Sequence, residues 1–336
     1  MTERAPLWLR EAEVRELLAL DEAIEVVERG LRVEGNGGAR GMAKTHVELP
    51  AGGGLHALGA SNTEARCVGT KTWAHTAAGA APLLILWSSE TGTLEAVIEA
   101  FGLGQLRTGG MTGVATRWLS RPAAHELAQI GTGKQALTQV AAVVAVRPIR
   151  RVRVYSPTPA HRAAFAERLR SEALGCDVVA CDSLEAALDG AEVVTVATRA
   201  REPLIHARQL EAGAHVNAIG AITPERAELA RDVFSRCSRI AVDVLSAARE
   251  LSRELIDYHG PSGEGWSEVR ELAQLVARDE RRPAAADLTV FKAMGSGVAD
   301  LALGLEVVSR ARASGAGRPI ERPVRVGVRL RSKESP

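Results

Sequence analysis

The sequence predicts an α/β protein centred on a parallel sheet that helices cover on both faces. Two observations carry that expectation. From about residue 125, short apolar runs rich in β-branched residues alternate with helical segments, the rhythm of consecutive βαβ units. Within that stretch, IGTGKQA at 130–136 follows a strand pattern and opens a helical one. That is where a G-x-G-x-x-A turn brings backbone close to a pyrophosphate.

The elements follow in order. Residues 10–34 read as helix, with Val14, Leu17 and Leu18, then Ile24, Val27 and Leu31, at three- and four-residue spacing. Asp21 is the expected N-cap of its second piece and Gly35 the expected stop. Between 45 and 100 the pattern changes to short strands, THVEL, LHALGA, CVGTKTW and PLLILW, with turns at Gly52–Gly54 and Ala77–Gly79. This part reads as an antiparallel or mixed sheet. The parallel region then supplies ELAQI, RVRVY, CDVVA, EVVTVA, HVNAIG and RIAVDV as strands, with helices at 134–146, 160–171 and 183–188. After Thr289 a long helix presents Val298, Leu301, Ala302, Leu305 and Val308 on one face and ends near Gly315–Gly317. VRVGVRL at 324–330 alternates like one more strand, and 331–336 reads as a frayed tail.

Composition excludes several classes. Lys+Arg 42 against Asp+Glu 41 leaves a net charge of +1, too small for a nucleic-acid-binding surface. No apolar run approaches the ~20 residues that span a membrane. MTERAPLWLREAE lacks a basic segment followed by an apolar one, so no signal peptide is expected and the cytoplasm is the expected location. Cys67, Cys176, Cys181 and Cys237 form no CxxC pair and have no histidine at ligand spacing. Neither a metal site nor a disulfide framework is expected. A chain of 336 residues favours two domains.

Each position of the fingerprint has a physical reason. Gly131 permits the tight turn, Gly133 admits the pyrophosphate, and Ala136 lets the helix pack closely on the sheet, with Thr132 and Gln135 between them. A carboxylate at the end of the second strand would bind the ribose 2′-hydroxyl of NAD. Here VYSPTPAHR offers Ser156, Thr158 and Arg162 instead, donors suited to a 2′-phosphate. NADP(H) is therefore the preferred cofactor, with NAD(H) the alternative. Ala197, Thr198 and Ile219, at the ends of later strand runs, complete the expected cofactor contacts.

The fingerprint is one of several blocks. KTHVELP at 44–50, VGTKT at 68–72, ETG at 90–92, LRTGG at 106–110, HVNAIGA at 215–221 and TVFKAMGSGVADLALG at 289–304 fall in one order. That order resembles the ornithine cyclodeaminase/mu-crystallin family. The resemblance covers roughly residues 8–320. It implies a Rossmann domain inserted in a discontinuous α+β substrate and dimerisation domain, with the active site between them and a homodimer as the assembly. The expected division places 1–112 and 300–330 in the substrate domain and 113–299 in the dinucleotide-binding domain. Lys71 then looks like the residue that grips the substrate carboxylate near the reacting carbon, with Arg107 and Lys44 as partners. A planar guanidinium suits a bidentate grip on a carboxylate.

The sequence departs from the family in three places. Lys44 stands where many members have Arg, a point charge in place of a fork. The loop after Lys71 is short, and within it His75 is a candidate proton donor. Most consequentially, Ile222 occupies the position where cyclodeaminases carry an acid/base Asp. An aliphatic side chain cannot transfer a proton, which disfavours cyclodeamination. Glu225 and Glu228 are expected in the first turns of the next helix. Ile222 and Trp73 suggest an apolar side-chain pocket. The leading expectation is an NAD(P)H-dependent imine or ketimine reductase, or amino-acid dehydrogenase, acting on a carboxylate-bearing small molecule. An opine-type condensing enzyme, a cyclodeaminase and a non-catalytic binder of NADP(H) or another ligand are the alternatives.

Overall fold

In the computed structural model, which describes residues 5–50 and 52–330, the chain forms two sheets. The first is mixed and nine-stranded. Its main path runs Arg318–Pro319, Leu7–Leu9, Leu94–Glu99, Leu83–Ser88, Cys67–Thr76, Gly54–Asn62 and Ala39–Gly41. Thr45–Glu48 also pairs with Gly54–Asn62. Leu7–Leu9 runs parallel to Leu94–Glu99, and the pairs from Leu94–Glu99 to Ala39–Gly41 are antiparallel. The second sheet has eight parallel strands in the order Asp177–Ala180, Arg151–Tyr155, Glu126–Ile130, Val193–Val196, His215–Ala218, Leu288–Lys292, Cys237–Val242 and Arg270–Glu271.

Glu126–Ile130 lies between the strand that follows it and a strand two crossovers later. The winding therefore reverses at its carboxyl end, where an open parallel sheet leaves a crevice for a ligand. The result is a Rossmann sheet inserted into a chain whose two ends build the mixed sheet. The expected cuts at 112 and 300 fall inside two helices, Phe101–Leu119 and Gly297–Ser314.

Phe101–Leu119 forms although it holds five glycines, which lower helix propensity by ~1 kcal/mol each. Packing supplies the reason. A Cβ at Gly110 would stand 2.9 Å from Val27 and one at Gly113 2.7 Å from Ile24. The glycines let Leu20–Gly35 lie against this helix at close range. Gly297–Ser314 approaches the mixed sheet in the same way, since a Cβ at Gly297 would meet the Gly59 carbonyl oxygen at 2.2 Å.

Several expectations need correction. The helix over 20–35 begins after Ala19, whose N–H donates to the Glu22 carboxylate (3.0 Å), so Asp21 lies in its first turn and does not cap it. Residues 324–330 form no strand. Val324, Val326, Val328 and Leu330 are at least 80% exposed, and Pro319 and Pro323 have no N–H to give a ladder. Glu225 and Glu228 precede the next helix, Arg231–Ser235, and lie in irregular chain. The tail over 331–336 lies outside the described residues. Among the described residues, no helix is long and apolar enough to cross a membrane.

A buried polar seam joins helix Phe101–Leu119 to the parallel sheet. Asn217 Nδ2 donates to Thr116 Oγ1 (3.0 Å), and the His215 ring lies between Asn217 Oδ1 and Thr289 Oγ1, 3.0 Å from each. Burial pushes the imidazole down from an ordinary 6.5 to about 3. Below 6.5 the unfolded chain therefore takes a proton that the native ring refuses until about 3. Stability contributed by this group is complete above pH 6.5 and is lost progressively towards pH 3. Urea midpoints at about pH 7 and 4.5 should show the drop, and it should shrink in His215→Gln.

Candidate active site

A cavity of about 1200 Å³ opens at the switch point, above the ~1,000 Å³ upper range of single-ligand sites. Its floor is the fingerprint turn. Gly131 has φ +98°, and a Cβ there would stand 2.4 Å from the Ala197 carbonyl oxygen. Only glycine fits such a position. Gly133 meets nothing within 4 Å on the side a Cβ would occupy, leaving room for a phosphate group. The helix Ala136–Val146 starts three residues on, its N-cap Gln135 lining the same cavity. These features fit a dinucleotide.

Thr132, Gln135, Ser156, Thr158, Ala197, Thr198 and Ile219 all line the cavity with the two glycines. Ala136 does not; it is fully buried at the helix start. Arg162 also lies off the cavity wall. Its guanidinium donates to the Ser156 carbonyl (3.0 Å) and the Asp182 carboxylate (2.7 Å), bracing the turn that holds Ser156. Lys134, His161, Arg199 and Arg226 also line the cavity, none of them expected from the sequence. Among the described residues, no aspartate or glutamate lines the cavity.

The opposite end belongs to the mixed sheet. Lys44 and Arg107 line it, beside Leu58, Trp73, Ile222 and Met294. Lys71, on strand Cys67–Thr76, is buried behind this wall, its Nζ 5.7 Å from the Trp73 ring. Trp73 is itself stacked on His56 at 5.0 Å. His75 lies four residues further along the same strand, exposed and off the cavity. The expected proton donor therefore has no place on the cavity wall.

Lys71 and Arg107 stand against one acid, Asp300, that the sequence did not single out, with Lys44 close to both cations. Lys71 Nζ is 2.6 Å from Asp300 Oδ1, and Arg107 Nε is 3.5 Å from the same oxygen. Asp300 lies in the first turn of Gly297–Ser314, whose N-cap Ser296 accepts the Ala299 N–H. Burial pushes the Lys71 ammonium down; Asp300 draws it back up, and Arg107 pushes it down again. Burial and Arg107 likewise lower Lys44. Asp300 Oδ2 and Arg107 Nε are buried without hydrogen-bond partners. A second buried acid, Asp243, feels the Arg107 charge and accepts the Met294 N–H, so three cations meet two carboxylates here. Asp300 was within the quoted block TVFKAMGSGVADLALG; its pairing with Lys71, 229 residues away, was not.

The chain matches the ornithine cyclodeaminase/mu-crystallin family over residues 5–315. Δ1-pyrroline-2-carboxylate reductase of Bacillus cereus is 32% identical over 244 residues, 71% of this chain and 74% of the relative. The solved structure of Thermococcus litoralis Δ1-pyrroline-2-carboxylate reductase, bound to NADH and L-proline, superposes with a TM-score of 0.86 at 27% identity. That match covers 94% of this chain and 100% of the other. An archaeal alanine dehydrogenase dimer with bound NAD gives 0.85 at 27% identity, covering 95% and 99% of the two chains.

Proposed function

Because the chain belongs to the ornithine cyclodeaminase/mu-crystallin family, and its cavity pairs a dinucleotide turn with a cluster of cations, we propose that it is an NAD(P)H-dependent imine reductase. Its substrate is a small carboxylate-bearing ketimine. The carrying observation is the pairing of Lys71 and Arg107 with Asp300, and Lys44 beside Arg107, in the cavity that also holds the fingerprint turn. The reductase relatives act on a five-membered cyclic imine carboxylate, and Leu58, Trp73, Ile222 and Met294 offer such a ring an apolar wall.

When bound, the dinucleotide supplies the hydride. Lys44 and Arg107 hold the substrate carboxylate and fix the C=N bond toward the nicotinamide half of the crevice. Lys71, depressed by burial, gives a proton to the imine nitrogen, which makes the neighbouring carbon electrophilic. Asp300 holds the lysine in place. The products are a CH–NH bond and a neutral lysine that solvent reprotonates. Ile222 on the cavity wall leaves no acid where a cyclodeaminase would need one.

Purified protein should consume NADPH with Δ1-pyrroline-2-carboxylate or a larger cyclic ketimine. Turnover with pyruvate and ammonia instead would make it an amino-acid dehydrogenase, as the alanine dehydrogenase relative suggests. No consumption with any cyclic ketimine, or with any 2-oxo acid plus an amine, sinks the proposal.

The cofactor preference is for NADP(H). The support is the cavity wall of Ser156, Thr158, Lys134, His161 and Arg199 without a carboxylate. Charge-assisted hydrogen bonds to a 2′-phosphate should make NADPH bind about tenfold more tightly than NADH. Fluorescence titration should find that advantage erased in Lys134→Ala/His161→Ala. The division into 113–299 for the dinucleotide and the two flanking segments for substrate and self-association completes the reading. A homodimeric mass by light scattering is expected.

A further inference from the structure

Glu228 is fully buried, and the site described so far does not use it. Its carboxylate accepts four hydrogen bonds. Oε1 takes Thr198 N–H (2.7 Å) and Thr198 Oγ1 (2.8 Å), while Oε2 takes the N–H groups of Gly220 (2.8 Å) and Ala221 (3.1 Å). These donors belong to two loops, one after Val193–Val196 and one after His215–Ala218. Both loops line the cavity, through Thr198 and through Gly220 and Ile222. They touch each other directly, since a Cβ on Gly220 would meet the Thr198 carbonyl oxygen at 2.1 Å.

Glu228 is itself anchored. Its N–H and that of Leu229 donate to Glu254 Oε1 at 2.6 and 2.8 Å, and Glu254 Oε2 pairs with the buried Lys292 Nζ at 2.5 Å. Burial pushes the Glu228 carboxyl up and Lys292 opposes that shift. Keeping a carboxylate here is costly, and a glutamine could not replace it. An amide has one acceptor oxygen, so its NH₂ would face two of the four donors.

In a doubly wound sheet the adenosine half lies over the second strand, here Arg151–Tyr155. The nicotinamide half then lies across Glu126–Ile130, over the two loops that Glu228 joins. We propose that Glu228 is a positioning residue: it fixes these loops as a preformed seat for the nicotinamide half of the cofactor, without contributing to the adenosine half. The inference rests on the dinucleotide reading of the cavity.

The test compares Glu228→Gln with the unaltered protein by fluorescence and calorimetric titration. The probes are the tighter-binding dinucleotide and its adenosine-half fragment, 2′,5′-ADP for NADPH or ADP-ribose for NADH. The dinucleotide should weaken by about tenfold or more while the fragment stays within about twofold. Thr198→Val, which removes the Oγ1 hydrogen bond to Glu228 and the one Oγ1 accepts from the Ala200 N–H, should give the same split at several-fold, and it decides the matter if Glu228→Gln does not fold. Equal weakening of both probes, or of neither, overturns the inference. Failure of the unaltered protein to bind any dinucleotide would instead overturn the cofactor reading beneath it.

Discussion

Replacing Lys71 with methionine should lower kcat for imine reduction by on the order of 10³-fold and leave dinucleotide affinity within about twofold. The side chain sits 2.6 Å from Asp300, on the mixed sheet, and not among the residues that touch the fingerprint turn at Gly131. Methionine keeps the length and apolar stem but removes the only ammonium that Asp300 holds. Arg107 remains near the acid, yet it cannot give up a proton in the accessible pH range. Lys71→Arg therefore separates two roles. It should recover part of the KM, because a cation returns, and little of kcat, because a proton donor does not. Steady-state kinetics with fluorescence titration checks both. A Lys71→Met protein with near-normal kcat would remove the lysine from the chemistry.

Lys292→Met should destabilise the protein by about 3–5 kcal/mol, an expected fall in Tm of roughly 10 °C. The ion pair it breaks is among the most buried in the chain, with side-chain exposures of 0% for Lys292 and 1% for Glu254. Removing one partner leaves the other charge in the interior without compensation. Replacing both by apolar residues should restore only part of the loss. Glu254 also accepts the N–H groups of Glu228 and Leu229, and an apolar side chain would leave both amides unpaired. Calorimetric unfolding of the single and double variants measures the difference. A loss below about 1 kcal/mol would mean that the pair is solvated in the native state.

Much of this molecule is legible in one sequence, for reasons that differ by region. Six strands of the parallel sheet announce themselves as short β-branched runs, and their positions were read to within one or two residues; Leu288–Lys292, where a helix was expected directly after Thr289, and the two-residue Arg270–Glu271 were not read as strands. Phe101–Leu119 was not readable as a helix. Its glycines answer to Ile24 and Val27 on a neighbouring helix, a demand that local propensity cannot express. The cations of the site were visible because they stand in Gly/Thr-rich blocks. Their acid was hidden, because Asp300 looks like an ordinary first-turn helix carboxylate until the fold places Lys71 against it. Arg162 failed in the opposite sense. It was expected to face a phosphate, but its side chain folds back onto Ser156 and Asp182. Glu228 was read as a helix-start residue, whereas tertiary structure recruits it to pair two loops.

The two long helices that cross from one sheet to the other also fix how the molecule can be taken apart. Leu9 and Ile24 near the amino terminus share one apolar core with Ile219, Ala241 and Phe291 of the parallel sheet. A blade driven between the sheets would have to cut that core and the buried hydrogen bonds from Asn217 and Thr289 to Phe101–Leu119. The two halves are therefore not interchangeable cassettes. Grafting the dinucleotide half of a relative onto this substrate half would require repacking Val27 and Ile24 against whatever replaced Gly110 and Gly113. Heat should melt the whole in a single calorimetric peak.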